Sequence, residues 1–262
     1  EYNRLKQTVK LGKVNWELGE KETEMFNEYL NMKSKIILDM PTDGILAFFS
    51  INEDILVDPI ENEENAKKSI KNSISSLFST SVFDINSNFK NLEDSEKIDK
   101  EIIQSYTIAH GVKCFSLFLK VFVDGNITGK LNYYKIFEFL EVQTWYGMKF
   151  KRGMTDNEID QNSSWLTMLA PGIHNLFAQF ELSVLMNTNK INNFILAMDS
   201  LTVKFEGALR DFIRLSGGNT STSKRGEIKE QLLEELLDNP TTKKHFTEKD
   251  IELFKYTFTQ KG

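Results

Sequence analysis

A single cysteine, Cys114, stands in 262 residues. One thiol cannot build an intramolecular disulfide framework or a Cys-rich zinc site. Four prolines and 14 glycines are few for this length, which excludes collagen-like and Pro-rich chains and favours long helices over many short strands. The three histidines, His110, His174 and His245, have no second His or Cys at metal-ligand spacing, so no metal and no cofactor is expected. No uninterrupted stretch approaches the roughly 18 apolar residues needed to span a bilayer. No signal-peptide pattern opens the chain. A cytoplasmic protein without a membrane segment is therefore expected. The P-loop order of Gly, Lys and Ser/Thr is missing, and so is the Gly-x-Ser-x-Gly elbow of serine hydrolases. The first residue is Glu1 rather than Met, which suggests a fragment or a trimmed chain.

What is present is ordinary for a core-forming protein, with 40% hydrophobic and 27% charged residues. The net charge of -6 argues against nonspecific nucleic-acid binding by the whole surface. The small basic groups Lys67/Lys68/Lys71, Lys149/Lys151/Arg152 and Lys224/Arg225 lie among Asp and Glu and read as solvated surface. The apolar spacing predicts an all-α multi-helix bundle. Helices are expected over 16–40, stopped by Pro41, and over 61–79 and 101–123. The last of these is apolar nearly all round and is expected to be buried, ending at the turn Asp124-Gly125-Asn126. Further helices are expected over 130–146, from Ser164 onward, over 192–215, 227–237 and 248–258. The run Gly44 to Ser50 fits a buried helix or a short strand. Residues 84–100 and 219–225 read as loops. A charged, Gly-containing connection over 147–161 suggests an N-terminal region 1–155 and a C-terminal region 156–262.

The segment Asn192–Leu215 carries the sharpest pattern. Phe194, Met198, Leu201, Phe205, Ala208, Leu209 and Phe212 form one apolar face at about 100° per residue. Gly217-Gly218 is a strong C-terminal stop. Asp199, Glu206 and Arg210 fall within about 40° of one another on the other side. Arg214 extends that row. The bland reading is a solvated face with a weak ion pair; the functional one is an acidic-plus-basic strip facing a partner helix. Cys114 reads as a buried apolar residue, His174 as a satisfied, partly buried histidine, and His245 as a surface histidine.

The stretch Ile195-Leu196-Ala197-Met198-Asp199-Ser200-Leu201 through Phe205-Glu206-Gly207-Ala208-Leu209-Arg210-Asp211-Phe212 resembles the C-terminal region of a bacterial family. Its hallmark is a terminal Arg-Asn-x-x-x-His-Gly motif, which sets it beside the all-helical HEPN superfamily, many of whose members are ribonucleases. The order downstream is similar too: a Gly/Thr-rich loop at 217–222, a Leu-Leu helix at 231–237, and a last helix leading to Gly262. Upstream, Trp165 to Ile173 resembles the family's Trp…Leu-x-Pro entry. The resemblance covers about residues 160–262. It implies a HEPN-like C-terminal half and metal-independent RNA cleavage. An Arg would stabilise the scissile phosphate, and a His would help move the ribose 2′-hydroxyl proton. It implies RNA as substrate, a homodimer or protein partner, and a role in bacterial stress or anti-phage defence, as in toxins.

The motif itself does not occur in the 262 residues; it is expected just beyond Gly262. Ala109-His110-Gly111 mimics its tail, but no Arg stands four to six positions earlier, so His110 reads as a decoy. The family's catalytic pair has no counterpart here. Its acidic partner-helix residue does: Glu206 matches best, with Asp199 and Arg210 in supporting roles. Whether the protein is an enzyme stays open. The competing reading is a helical protein–protein interaction module without catalysis, and a weaker one is a nucleotide-binding sensor.

Overall fold

The computed structural model describes residues 19–72, 81–83, 89–91, 93–149, 164–186, 194–224 and 227–259. Among them the protein is all-α, with two small antiparallel hairpins. The helices are α1 (Glu20–Leu38), α2 (Thr42–Ile51), α3 (Pro59–Asn72), α4 (Asp94–His110), α5 (Ser116–Ile127), α6 (Tyr133–Gln143), α7 (Trp165–Leu185), α8 (Phe194–Leu215), α9 (Leu233–Leu237), α10 (Pro240–His245) and α11 (Glu248–Phe258). The strands are β1 (Ser81–Phe83) with β2 (Phe89–Asn91), and β3 (Ser221–Lys224) with β4 (Glu227–Glu230).

Local chemistry sets the helix ends. Pro41, where α1 was expected to stop, is the N-cap of α2. Ser164 caps α7 by accepting the Thr167 N–H at 3.2 Å. Thr247 and Asp250 form a reciprocal capping box on α11. Gly217, at φ 78°, ends α8. The Gly218 N–H bonds Ile213 O at 2.8 Å and the Gly217 N–H bonds Arg214 O at 3.0 Å. That is the paired arrangement in which only a residue tolerant of the left-handed region fits comfortably.

Two apolar clusters organise the chain. Leu30 and Ile37 of α1, Ile45 of α2, Leu117 and Val121 of α5, and Leu131 form the first. Leu209 and Ile213 of α8 join Leu236, Leu237 and Ile251 in the second. Contacts cross between the two regions of the chain. Phe122 meets Phe177 at 5.2 Å and Phe180 at 4.8 Å, and Trp145 meets Phe212 at 5.6 Å. The expected boundary near residue 155 lies outside the described residues.

Five expectations are corrected. The Asp124-Gly125-Asn126 turn does not form; α4 and α5 join through a π-turn at Gly111–Phe115 into one helix ending at Ile127. Asp124 is held inside it by Ser34 at 3.1 Å and Lys120 at 3.0 Å, and Gly125 leaves room for Leu131. This helix is also not buried all round. Leu117, Val121 and Phe122 are buried, but Ile108, Val112, Phe115, Phe118 and Leu119 are exposed. By length and composition alone, Asp94–Ile127 is apolar enough to cross a membrane, despite Lys113 and Lys120. Next, residues 227–230 are a strand, and the helix expected from Glu227 runs only over Leu233–Leu237. The Gln231 N–H closes onto Thr220 O at 2.8 Å, which commits the segment to the hairpin. Likewise, of the residues expected as loop, 89–91 and 221–224 are strand and 94–100 are the first turns of α4.

The face of α8 is the fifth. Met198, expected inside, is 63% exposed, whereas Ala197 and Ile213 are buried. The cause is packing on two sides. One side meets α7, where Gly172 and Gly207 allow close approach. A Cβ on Gly172 would lie 2.9 Å from Leu201, and one on Gly207 would lie 2.8 Å from Trp165. The other side, through Phe205, Leu209 and Ile213, meets the α9–α11 cluster. Gly44 to Ser50, left open between helix and strand, lies in α2.

Candidate functional site

The strip on α8 is built from Arg210, which donates from Nη2 to Glu206 Oε1 at 2.7 Å and to Gln231 O at 2.8 Å. Its Nε lies 3.5 Å from Glu230 Oε2, a distance and alignment that make an ionic contact and not a hydrogen bond. The Arg210 side chain is only 16% exposed, and that of Glu206 is 37% exposed. One turn on, Arg214 donates from Nη2 to Glu230 Oε1 at 2.7 Å and from Nε to Thr220 Oγ1 at 3.0 Å. Its Nη1 lies 3.5 Å from Asp211 Oδ1. The hairpin therefore lies along the polar side of α8 and fixes both guanidinium groups.

Of the three residues expected to act together, Glu206 and Arg210 meet. Asp199 does not reach them. It is exposed, seven residues earlier and so about 10 Å up the helix axis. Sequence reasoning missed Glu230, Gln231 and Thr220, because it read their segments as loop and helix. The signal was the polar run Ser221-Thr222-Ser223-Lys224 and the alternation Glu227-Ile228-Lys229-Glu230 on either side of Arg225-Gly226, a hairpin pattern.

A second group of ionisable side chains gathers at the π-turn. Tyr106 and His110 stack at 6.1 Å, and Tyr256 of α11 lies 4.9 Å from the first ring and 5.6 Å from the second. The Tyr106 hydroxyl and His110 Nδ1 are buried without a hydrogen-bond partner among the described residues. Burial lowers the His110 pKa and raises that of Cys114. Burial, and then the charge of Glu252, raises that of Tyr106. All three side chains are thus held neutral, which is the opposite of an activated thiolate–imidazolium pair. His174, expected partly buried, is exposed and packs edge-on to Tyr133 at 5.0 Å; His245 is exposed, as expected, and packs edge-on to Phe212 at 5.5 Å. No group of three metal-binding side chains occurs among the described residues. Lys67 and Lys68 pair with Glu63 and Glu64 on α3, as expected of solvated surface.

Comparison with protein-family models, with curated proteins and with solved structures gives no match.

Proposed function

We propose that this chain is the helical body of a HEPN-type, metal-independent endoribonuclease or of an inactive relative. Glu206 and Arg210 serve as positioning residues for a catalytic Arg and His that are not among the 262 residues. One observation carries this reading. Phe258, the last residue of α11, stacks on Phe205 at 4.1 Å, next in sequence to Glu206. The last described helix is thereby anchored on α8, the helix that carries Glu206 and Arg210. An acidic neighbour there would orient the incoming Arg, leaving it to stabilise the charge that develops on the scissile phosphate. The reading carries with it a cytoplasmic setting, RNA as substrate, and a homodimer that brings two motifs together.

The test is the native sequence after Gly262, followed by an RNA-cleavage assay in EDTA. We expect the motif in that sequence, cleavage by the longer protein without divalent metal, and none by the 262-residue chain. Turnover by the 262-residue chain, or loss of activity in EDTA, would refute the reading.

A second reading is a protein–protein interaction module. It is favoured by the exposed side chains Ile108, Val112, Phe115, Phe118 and Leu119 along one helix, since contiguous apolar surface marks association sites. A longer native sequence without the motif would favour it.

A further inference from the structure

Arg210 and Arg214 stand one turn apart on α8, and both reach the same carboxylate, that of Glu230. The three groups differ in how firmly they are held. Arg210 is largely buried and is tied to backbone through Gln231 O. Arg214 is tied to Thr220. The Glu230 side chain, in contrast, is 60% exposed and sits on a strand whose side chains are all exposed. Its two oxygens are shared between two guanidinium groups, and the match is incomplete: the buried Nε of Arg210 has no hydrogen-bond acceptor among the described residues. A carboxylate has two oxygens in a plane. A phosphate offers three or four in a tetrahedron and is the usual counterpart of paired arginine forks.

We propose that Arg210 and Arg214 form a phosphate-binding pair that Glu230 occupies from within the chain. The ligand is a phosphate group, and the phosphodiester backbone of RNA is its source; that choice of source rests on the function proposed above, whereas the phosphate chemistry does not. The exposed Glu230 side chain rotates out while Gln231 keeps its bond to Arg210, and the incoming oxygens take its two contacts and reach the Nε of Arg210. Glu206 and Asp211 stay in place and keep the two guanidinium groups oriented. The exposed carboxylate makes the site weak until it is displaced, so the hairpin sets the affinity.

The experiment compares the unaltered 262-residue chain with Glu230→Gln. Binding of a short single-stranded RNA is followed by fluorescence anisotropy at low salt. Binding of inorganic phosphate is followed by the NMR Nε–Hε resonances of Arg210 and Arg214. Glu227→Gln is the charge control, because Glu227 lies on the same strand but pairs with Lys229 at 3.0 Å. We expect Glu230→Gln to bind RNA at least tenfold more tightly than the unaltered chain. Arg214→Ala in that background should abolish the gain, and Glu227→Gln should give little of it. A gain for phosphate but not for RNA would keep the site and assign it to a free phosphate-bearing ligand. An equal gain in Glu227→Gln, a gain that survives Arg214→Ala, or no gain at all would overturn the proposal. Should Glu230→Gln lose its helical circular dichroism, the phosphate titration of the unaltered chain decides: movement of both Arg resonances supports the site, and their constancy refutes it. Failure of the nuclease reading would show as absent RNA cleavage and leave these binding results unaffected.

Discussion

Phe205 of α8 and Phe258 of α11 stack with ring centroids 4.1 Å apart and planes 12° from parallel. Phe205 also meets Phe254 at 5.1 Å. This one side chain joins the long helix of the C-terminal half to its last helix. Phe205→Ala should therefore cost about 3 kcal/mol, the lower end for a buried phenylalanine, because Phe205 is only partly buried. Urea denaturation monitored at 222 nm checks this, and a change below about 1 kcal/mol would show that the stack does not hold α11 in place.

Arg210 and its neighbour Glu206 should respond unequally. Glu206→Gln removes one half-exposed ionic partner and should cost at most about 0.5 kcal/mol. Arg210→Ala leaves Gln231 O without its side-chain donor and loosens the hairpin, which Arg214 still ties to α8, so about 1–3 kcal/mol is expected. Equal losses in a chemical denaturation series would mean the pair is only a surface ion pair.

Gly217 tests the end of α8. At φ 78° a Cβ is strained, so Gly217→Ala should destabilise by about 1–2 kcal/mol. The readout is the melting temperature, which should fall although no side-chain contact is removed.

His110 gives a pH prediction with a definite sign. Burial lowers its folded pKa below the ordinary 6.5. The unfolded chain then binds the proton more readily, so this residue's contribution is present above about pH 6.5 and fades as pH falls through the lower folded value. His110→Gln should flatten the fall in the urea midpoint between pH 7 and pH 5. An unchanged slope would assign the acid sensitivity to other groups. Asp238 acts at lower pH. Burial by itself raises its pKa, but the ammonium groups of Lys255 and Lys243 outweigh this and leave it below 3.8. Its contribution is therefore lost only below that pH.

Much of the fold was legible because helix formation is local. The i, i+3, i+4 spacing of apolar residues and the scarcity of Pro and Gly gave α1, α7, α8 and α11 to within a few residues. The Gly217-Gly218 stop was readable for the same reason: both of its bonds close within five residues. Glu206 and Arg210 were legible as neighbours, since i,i+4 side chains meet on any helix.

What only the tertiary structure decided depends on residues distant in sequence. Which apolar residues of α8 face inward follows from its being packed between α7 and the α9–α11 cluster. Met198 is consequently exposed and Ala197 buried, although both suit an apolar stripe. Asp124-Gly125-Asn126 stays helical because Ser34, 90 residues away, holds Asp124. Arg210 is a half-solvated ion pair by sequence and a buried anchor in the fold because Gln231 and Glu230 arrive from a hairpin some 20 residues on. Periodicity records the conformation a segment prefers, but the environment of a side chain is fixed by what folds against it, and that information is spread over the whole chain.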